Sequence, residues 1–111
     1  MVEKAVLNSI HAYLTAVQQA GIFVNKAILF GSFARGDAGS DSDIDLIIVS
    51  EQFDTLQQKD IDTLWELRVS TDARIEPIAC GEQQWQEDDF TPILEVARRE
   101  GIVIEPRAEP A

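Results

Sequence analysis

The sequence predicts an α/β (α+β) domain in which several helices pack on a small sheet. Two observations support this class: helical periodicity recurs in two long segments, and short apolar runs typical of buried strands lie between and after them. With 111 residues, the chain has room for one core and not for a second catalytic lobe. An active site that needs two lobes would therefore borrow one from a partner.

The first predicted element is an amphipathic helix from about Glu3 to Ala20. Gly21 follows at the usual stop position for a helix. His11 lies within this helix and is interpreted as a polar-face residue rather than a ligand. The apolar residues of the helix recur at spacings of three and four, namely Val6, Ile10, Tyr13, Leu14 and Val17.

Two predicted strands follow, Lys26 to Phe30 and Ile44 to Val49, because each is a short apolar run. The loop between them begins with Gly31 and Ser32. Within this loop, residues 33–35 are predicted to form a helical turn whose free amide groups suit an anion.

A second long helix is predicted from Thr55 to Arg68, capped by Asp54 and covering one face of the sheet. Trp65 falls on its apolar stripe and is interpreted as a core residue. The residues on the helical period are Leu56, Ile61, Leu64, Trp65 and Arg68.

A third strand is predicted from Arg74 to Cys80, with Pro77 at an unpaired site or near the strand's end. The polar stretch from Gly81 to Asp89 is interpreted as a loop. Trp85 in that loop has no periodic reason to be buried and is a candidate partner contact.

The last predicted helix starts at Thr91 and Pro92, runs through Glu100 and is closed by Gly101. Residues 102–105 are predicted to add a short strand. The prediction is therefore one domain over residues 1–105, followed by a disordered tail over residues 106–111.

Composition excludes several classes of protein. With 9 basic and 20 acidic residues the net charge is −11, which opposes direct binding to nucleic acid. Cys80 is the single cysteine, so no internal disulfide is expected, and we interpret it as buried and inert. No apolar run approaches the roughly 20 residues of a membrane span, and no secretion signal is evident. We expect a cytoplasmic protein without membrane contact.

The most informative feature is a glycine-serine pair, Gly31 and Ser32, followed after ten residues by Asp43-Ile44-Asp45. Because side chains of a strand alternate between faces, both aspartates should point the same way while Ile44 enters the core. The two carboxylates would lie roughly 6 to 7 Å apart, which suits Mg²⁺ bound together with substrate phosphates.

Alternative interpretations remain open for these residues. The aspartates could belong to a solvated turn, as Asp41 does in our interpretation. Gly31 could merely end a strand, and Ser32 could merely cap the following turn. Arg35 could contact a phosphate, or it could form a salt bridge with Asp37 or Asp43, which would contribute little to stability.

The motif from Phe30 to Val49 resembles the nucleotidyltransferase superfamily that includes DNA polymerase beta, and within it the minimal nucleotidyltransferases. The resemblance implies a polymerase-beta-like fold with a small mixed sheet. It also implies that Gly31 and Ser32 hold a triphosphate and that Asp43 and Asp45 bind two Mg²⁺ ions.

A third carboxylate on a neighbouring strand completes the metal site in this family, and Glu76 is the candidate here, as ligand or general base. The family usually has aspartate at this position, and Pro77 follows directly in this chain. Asp72, in the loop before the strand, is the second candidate for the same role.

The resemblance implies Mg²⁺-dependent transfer of a nucleoside monophosphate, AMP from ATP, onto a hydroxyl. Short members of the family often look like antitoxins of HEPN ribonuclease toxins, which they inactivate by adding AMP to a tyrosine. A stable hetero-oligomer with such a toxin is therefore expected.

Two other functions are considered. One is a binding module of the same fold without catalysis, which Glu76 and Pro77 make credible. The other is a nucleotidyltransferase that modifies a small molecule, although that class usually carries a further helical domain.

Overall fold

The computed structural model describes residues 2–107, which form five α-helices, one 3₁₀ helix and four strands. In chain order these are α1 (Lys4–Gln19), β1 (Lys26–Phe30), α2 (Ser32–Arg35), β2 (Ile44–Ser50), the 3₁₀ helix (Glu51–Thr55), α3 (Gln58–Ser70), β3 (Ile75–Gly81), α4 (Glu82–Glu87), α5 (Pro92–Glu100) and β4 (Ile102–Ile104).

The strands form one mixed sheet in the order β3-β2-β1-β4. β1 is antiparallel to both β2 and β4, whereas β2 and β3 are parallel. In this register Phe30 lies opposite Asp45 on one side, and Glu76 lies beside Asp45 on the other. The predicted α/β class, with helices packed on a small mixed sheet, is confirmed.

Both faces of the sheet are covered by helices, but unequally. The first face packs against α1 and α3 and contributes most of the core, including Leu29, Leu46 and Ile48. The buried hydroxyl of Tyr13 donates to the Leu64 carbonyl over 2.7 Å and so joins the two helices. The position of α3 on this face agrees with the prediction that the second long helix covers one face of the sheet.

The second face of the sheet packs against α4 and α5 through a smaller cluster that includes Ile47 and Val49 of β2. Because side chains alternate along a strand, Asp45 belongs to the same row as these two residues. Asp45 and Asp43 are nevertheless not part of the buried core. The second face is therefore apolar at one end of β2 and acidic at the other.

Several sequence predictions are confirmed. α1, β1, β2, α5 and β4 occupy the predicted segments to within a residue or two, and α2 is the predicted helical turn. Gly21 ends α1 in a left-handed conformation, with φ of 95°. Pro77 lies in β3, which is an edge strand of the sheet. On an edge strand, a proline nitrogen that faces away from the neighbouring strand causes no loss of a ladder hydrogen bond.

The start of the second long helix was predicted wrongly. Residues 51–55 form the 3₁₀ helix and α3 begins only at Gln58, so Leu56 lies between the two and is 46% exposed. Asp54 does not cap α3. Its carboxylate accepts a hydrogen bond from the Gln83 amide over 3.1 Å, which ties the 3₁₀ helix to α4.

The interpretations of Trp65 as a core residue and of residues 81–89 as a loop were also wrong, whereas a partner contact of Trp85 stays a prediction. The segment after β3 is not a loop throughout, because α4 occupies Glu82–Glu87 and packs Trp85 against the second face of the sheet. Trp65 is 41% exposed, and the Arg68 guanidinium lies 4.7 Å from the centre of its ring. Stacking under arginine lets an indole remain on the surface of a helix.

The predicted tail lies mostly outside the described residues, since residues 108–111 are not among them. Over the part of the chain that the structure describes, no helix is long and apolar enough to cross a membrane.

Candidate active site

Three acidic side chains meet at one edge of the sheet, where β2 and β3 begin and β1 ends. Asp45 and Glu76 are the second residues of their strands and are register partners. Neighbouring strands lie about 4.8 Å apart, so these side chains stand side by side on one face. Asp43 precedes Asp45 by two residues and interacts with Glu76. The structure therefore brings together the three carboxylates predicted from the sequence.

The electrostatics of this carboxylate edge favour a bound cation. Desolvation raises the pKa of Glu76. The pKa is raised further by the charge of Asp43, by a hydrogen bond with Asp43 and by the charge of Asp45. Desolvation and the charge of Asp43 likewise raise the pKa of Asp45. Carboxylates that repel each other in this way are stabilised in their ionised form by a positive charge.

Gly31 connects the end of β1 to this edge. Its φ of 77° and ψ of −154° lie in a region that is almost exclusive to glycine. A Cβ atom at this position would also overlap the Asp45 carboxylate. Glycine is therefore required both by the backbone and by the space that Asp45 occupies.

Ser32 begins α2 directly beside the carboxylates. No side chain caps this helix, and the first amides of any helix lack an acceptor within it. The Gly31 carbonyl accepts hydrogen bonds from the amides of Ala34 and Arg35 over 3.1 and 3.0 Å and so closes the turn. The turn offers polar groups to an anion, as the sequence predicted, and the role of Ser32 in binding phosphate stays a prediction.

Arg35 places a positive charge near Asp45, and Arg68 places one near Glu76. The Arg35 Nε donates to Asp37 over 3.3 Å, and its Nη1 donates to Glu100 over 3.2 Å. The guanidinium also lies close enough to Asp45 to lower the pKa of that carboxyl. From the sequence, Arg35 was expected to contact a phosphate or to form a salt bridge with Asp37 or Asp43. The structure shows the salt bridge with Asp37, and the phosphate contact stays a prediction.

The other residues considered from the sequence have different surroundings. Asp72 forms a salt bridge with Arg74 over 2.7 Å, and hydrogen bonds from that arginine lower the pKa of Asp72 to about 2. Its carboxylate is therefore ionised and already paired with a positive charge. His11 lies on α1, where desolvation lowers its pKa. Cys80 is buried, and desolvation raises the pKa of its thiol to about 11, which keeps it unreactive.

One contact of the site was missed by sequence reasoning. Glu100 reaches Arg35 from the end of α5, although 65 positions separate the two residues in the chain. No local pattern marks Glu100, because it is an ordinary charged residue in the last turn of an amphipathic helix. Only the tertiary structure brings it to the site.

The donor set suits Mg²⁺ that arrives with a phosphate ligand. Within residues 2–107, no group of three or more His, Cys, Asp and Glu side chains is arranged so that it could hold a metal ion by itself. Mg²⁺ rarely uses such a group, because it is commonly held by one or two carboxylates together with water and substrate phosphates. Asp43, Asp45 and Glu76 supply oxygen ligands of this kind on an open surface.

Comparison with known proteins agrees with this geometry. The family described as "Nucleotidyltransferase domain" matches residues 10–97. A segment of 36 residues is 44% identical to the "putative protein adenylyltransferase" of Methanocaldococcus jannaschii, covering 32% of this chain and 36% of that protein. The chain thus matches only about a third of the length of this curated relative.

Two solved structures share the fold. A "putative minimal nucleotidyltransferase" is 28% identical with a TM-score of 0.52, over 86% of this chain and 93% of that one. A toxin-antitoxin structure with AMP-PNP is 17% identical with a TM-score of 0.60, over 87% of this chain and 73% of that one. Because the family match spans most of the chain and includes the glycine-serine turn and all three carboxylates, this protein belongs to the nucleotidyltransferase domain family.

Proposed function

We propose that this protein transfers AMP from ATP, with Mg²⁺, to a tyrosine hydroxyl of a HEPN-type ribonuclease toxin and thereby acts as its antitoxin. One observation carries the catalytic part of this proposal. Asp43, Asp45 and Glu76 share one edge of the sheet, directly beside the turn formed by Gly31 and Ser32.

The reaction is an in-line displacement at phosphorus. The acceptor oxygen forms a bond to the α-phosphorus, the bond from that phosphorus to the oxygen bridging the α- and β-phosphates breaks, and pyrophosphate leaves. Glu76 lies beside Asp45 and is the candidate to accept the hydroxyl proton, as general base, or to serve as a third metal ligand. No nucleophilic side chain of the enzyme is needed.

The remaining residues of the site bind and orient the substrate. Asp43, Asp45 and Glu76 would hold two Mg²⁺ ions, which when bound neutralise phosphate charge and acidify the attacking hydroxyl. Gly31 lets the backbone turn tightly beside Asp45, so that the amides at the start of α2 and the Ser32 hydroxyl can contact the triphosphate. Arg35 adds a positive charge next to them.

Three observations support a protein acceptor. The curated relative is named as a protein adenylyltransferase, and a structural neighbour is a toxin-antitoxin structure with AMP-PNP. The net charge of −11 complements a basic, RNA-binding partner, since opposite fields speed encounter and disfavour wrong contacts. We propose a cytoplasmic location as well, because a ribonuclease toxin and ATP would be met there.

Intact-mass measurement of the toxin tests this proposal. The purified chain, its toxin, ATP and Mg²⁺ should give a toxin with one or more added adenylyl groups on tyrosine. Asp43→Asn should abolish the addition, because it removes a ligand of the proposed site. Asp41→Asn is the matched control: it makes the same chemical change at an exposed position two residues away and should leave transfer intact.

Other outcomes separate the alternatives. Tight association with neutralisation of the toxin but no added mass would identify a binding module without catalysis. Transfer that survives Asp43→Asn would remove the assignment of the metal site. Replacing ATP with GTP, CTP or UTP in the same assay identifies the donor base.

A further inference from the structure

A second concave surface lies at the opposite end of β2 and β3 from the carboxylate edge. This aromatic groove has a volume of about 440 Å³, and its lining includes two phenylalanines, three carboxylates and an amide, namely Phe53, Phe90, Asp54, Glu87, Asp88 and Gln84. Phe53 is buried, whereas Phe90 is 89% exposed. From Asp45 to Ser50 the strand rises about 17 Å, so the groove shares no residue with the carboxylate edge.

Two carboxylates of the groove are held in place by the backbone. Asp54 accepts a hydrogen bond from the Gln83 amide over 3.1 Å. Its carboxylate also packs against Gly81, which has room for it because glycine lacks a Cβ atom. Asp88 accepts hydrogen bonds from the amides of Phe90 and Thr91, each over 2.9 Å. These bonds, with one from the Thr91 hydroxyl, hold the pKa of Asp88 far below its usual range.

Neither carboxylate has a counter-ion of its own. Among residues 2–107, every salt bridge involves other acidic residues. The three carboxylates of the groove therefore form a negative rim that no salt bridge within residues 2–107 neutralises. Arg98 is nearby, but its guanidinium stacks on Trp85 and donates to the carbonyl of Gln84. The uncovered Phe90 ring adds a flat surface on the rim of the same groove.

We propose that the aromatic groove binds an arginine-bearing segment of a protein partner. A guanidinium carries planar donors that match carboxylates, and its flat face stacks on an aromatic ring such as Phe90. The acidic rim opposes nucleic acid. This inference stands apart from the proposed transfer reaction, because it requires neither nucleotide nor Mg²⁺.

Titration of the isotopically labelled protein with a capped pentapeptide, Gly-Leu-Arg-Leu-Gly, tests the proposal by NMR. The arginine peptide should shift the amide resonances of Gly81, Gln84 and Phe90, with little change at Ser32 or Asp45. A peptide with citrulline in place of arginine is isosteric but neutral. It should bind about tenfold more weakly, since it cannot form charge-assisted hydrogen bonds with the groove.

Variants of the groove complete the test. Phe90→Ala should weaken arginine binding about two- to fivefold, as expected for loss of an exposed cation–π contact. Trp65→Ala, which removes an exposed aromatic side chain from α3, is the control and should leave the affinity unchanged.

Three results would overturn the inference: equal binding of the citrulline peptide, full affinity of the Phe90→Ala protein, or shifts confined to the carboxylate edge. Because the titration contains no ATP, its failure leaves the transfer assay unaffected. Loss of transfer in Asp43→Asn likewise leaves the groove intact.

Discussion

The substitution Gly31→Ala tests most directly how the glycine-serine turn supports the carboxylate edge. The backbone at Gly31, with φ of 77° and ψ of −154°, disfavours any side chain. In addition, the new Cβ would overlap a carboxylate oxygen of Asp45. Gly21 offers a matched control, since its φ is 95° but nothing lies within 4 Å of a Cβ built there.

The two contributions can be separated by magnitude. Backbone strain at Gly31 costs about 1–3 kcal/mol, and forcing the Asp45 side chain off its preferred rotamer adds about 0.5–1.5 kcal/mol. Gly21→Ala carries only the first kind of cost, about 1–2 kcal/mol for a left-handed residue. A displaced Asp45 should also reduce nucleotidyl transfer about 100-fold, whereas Gly21→Ala should leave transfer unchanged.

Urea denaturation gives the free energy of unfolding for each variant, and the intact-mass assay gives the transfer rate. We expect Gly31→Ala to lose more stability than Gly21→Ala and to lose most of its activity as well. The reasoning is refuted if both variants lose similar stability and both remain active, because the contact between Gly31 and Asp45 would then have no consequence.

Three further predictions concern charge and packing. The raised pKa of Glu76 means that the folded chain holds its proton more tightly than the unfolded chain, so Glu76 destabilises the metal-free fold as pH rises above its ordinary value near 4.5. Glu76→Gln should therefore raise the free energy of unfolding at pH 7 and not at pH 3.5; a loss at pH 7 would contradict this. Asp72, whose pKa is lowered to about 2, stabilises the fold above its ordinary value near 3.8 and loses this effect as pH falls through about 2. Asp72→Asn should thus cost about 1–2 kcal/mol at neutral pH by urea denaturation, and an unchanged midpoint would show that the pair with Arg74 contributes nothing. Trp85→Ala should cost about 2–3 kcal/mol and Trp65→Ala about 1 kcal/mol or less in thermal unfolding, and the reverse order would contradict the packing described above.

Most of the fold could be predicted because its elements follow local rules. The stripe of α1, the apolar runs of β1 and β2, and the Thr91-Pro92 start of α5 are patterns that only one type of element satisfies. The 3₁₀ helix at Glu51–Thr55 and helix α4 could not be predicted in this way. Both are short and polar, and they are held by a long-range bond from the Gln83 amide to Asp54.

The tryptophans show why side-chain environment was harder to predict than secondary structure. Trp65 matches the helical period, yet the apolar face of α3 is narrow, with Leu64 its one fully buried residue. Trp85 has no periodic partner, yet α4 places it against the second face of the sheet, where Arg98 stacks on it. Periodicity describes one helix, whereas burial depends on what the neighbouring elements leave uncovered.

The sequence by itself determined the family and singled out Asp43, Asp45 and the turn at Gly31, because this motif is defined by spacing along one short segment. Only the tertiary structure decided that Glu76 stands beside Asp45, since the parallel pairing of β2 and β3 aligns residues that are 31 positions apart. It also decided that Glu100 meets Arg35 and that the aromatic groove exists at all. Such juxtapositions arise from how separate elements pack, and no local pattern in the chain encodes them.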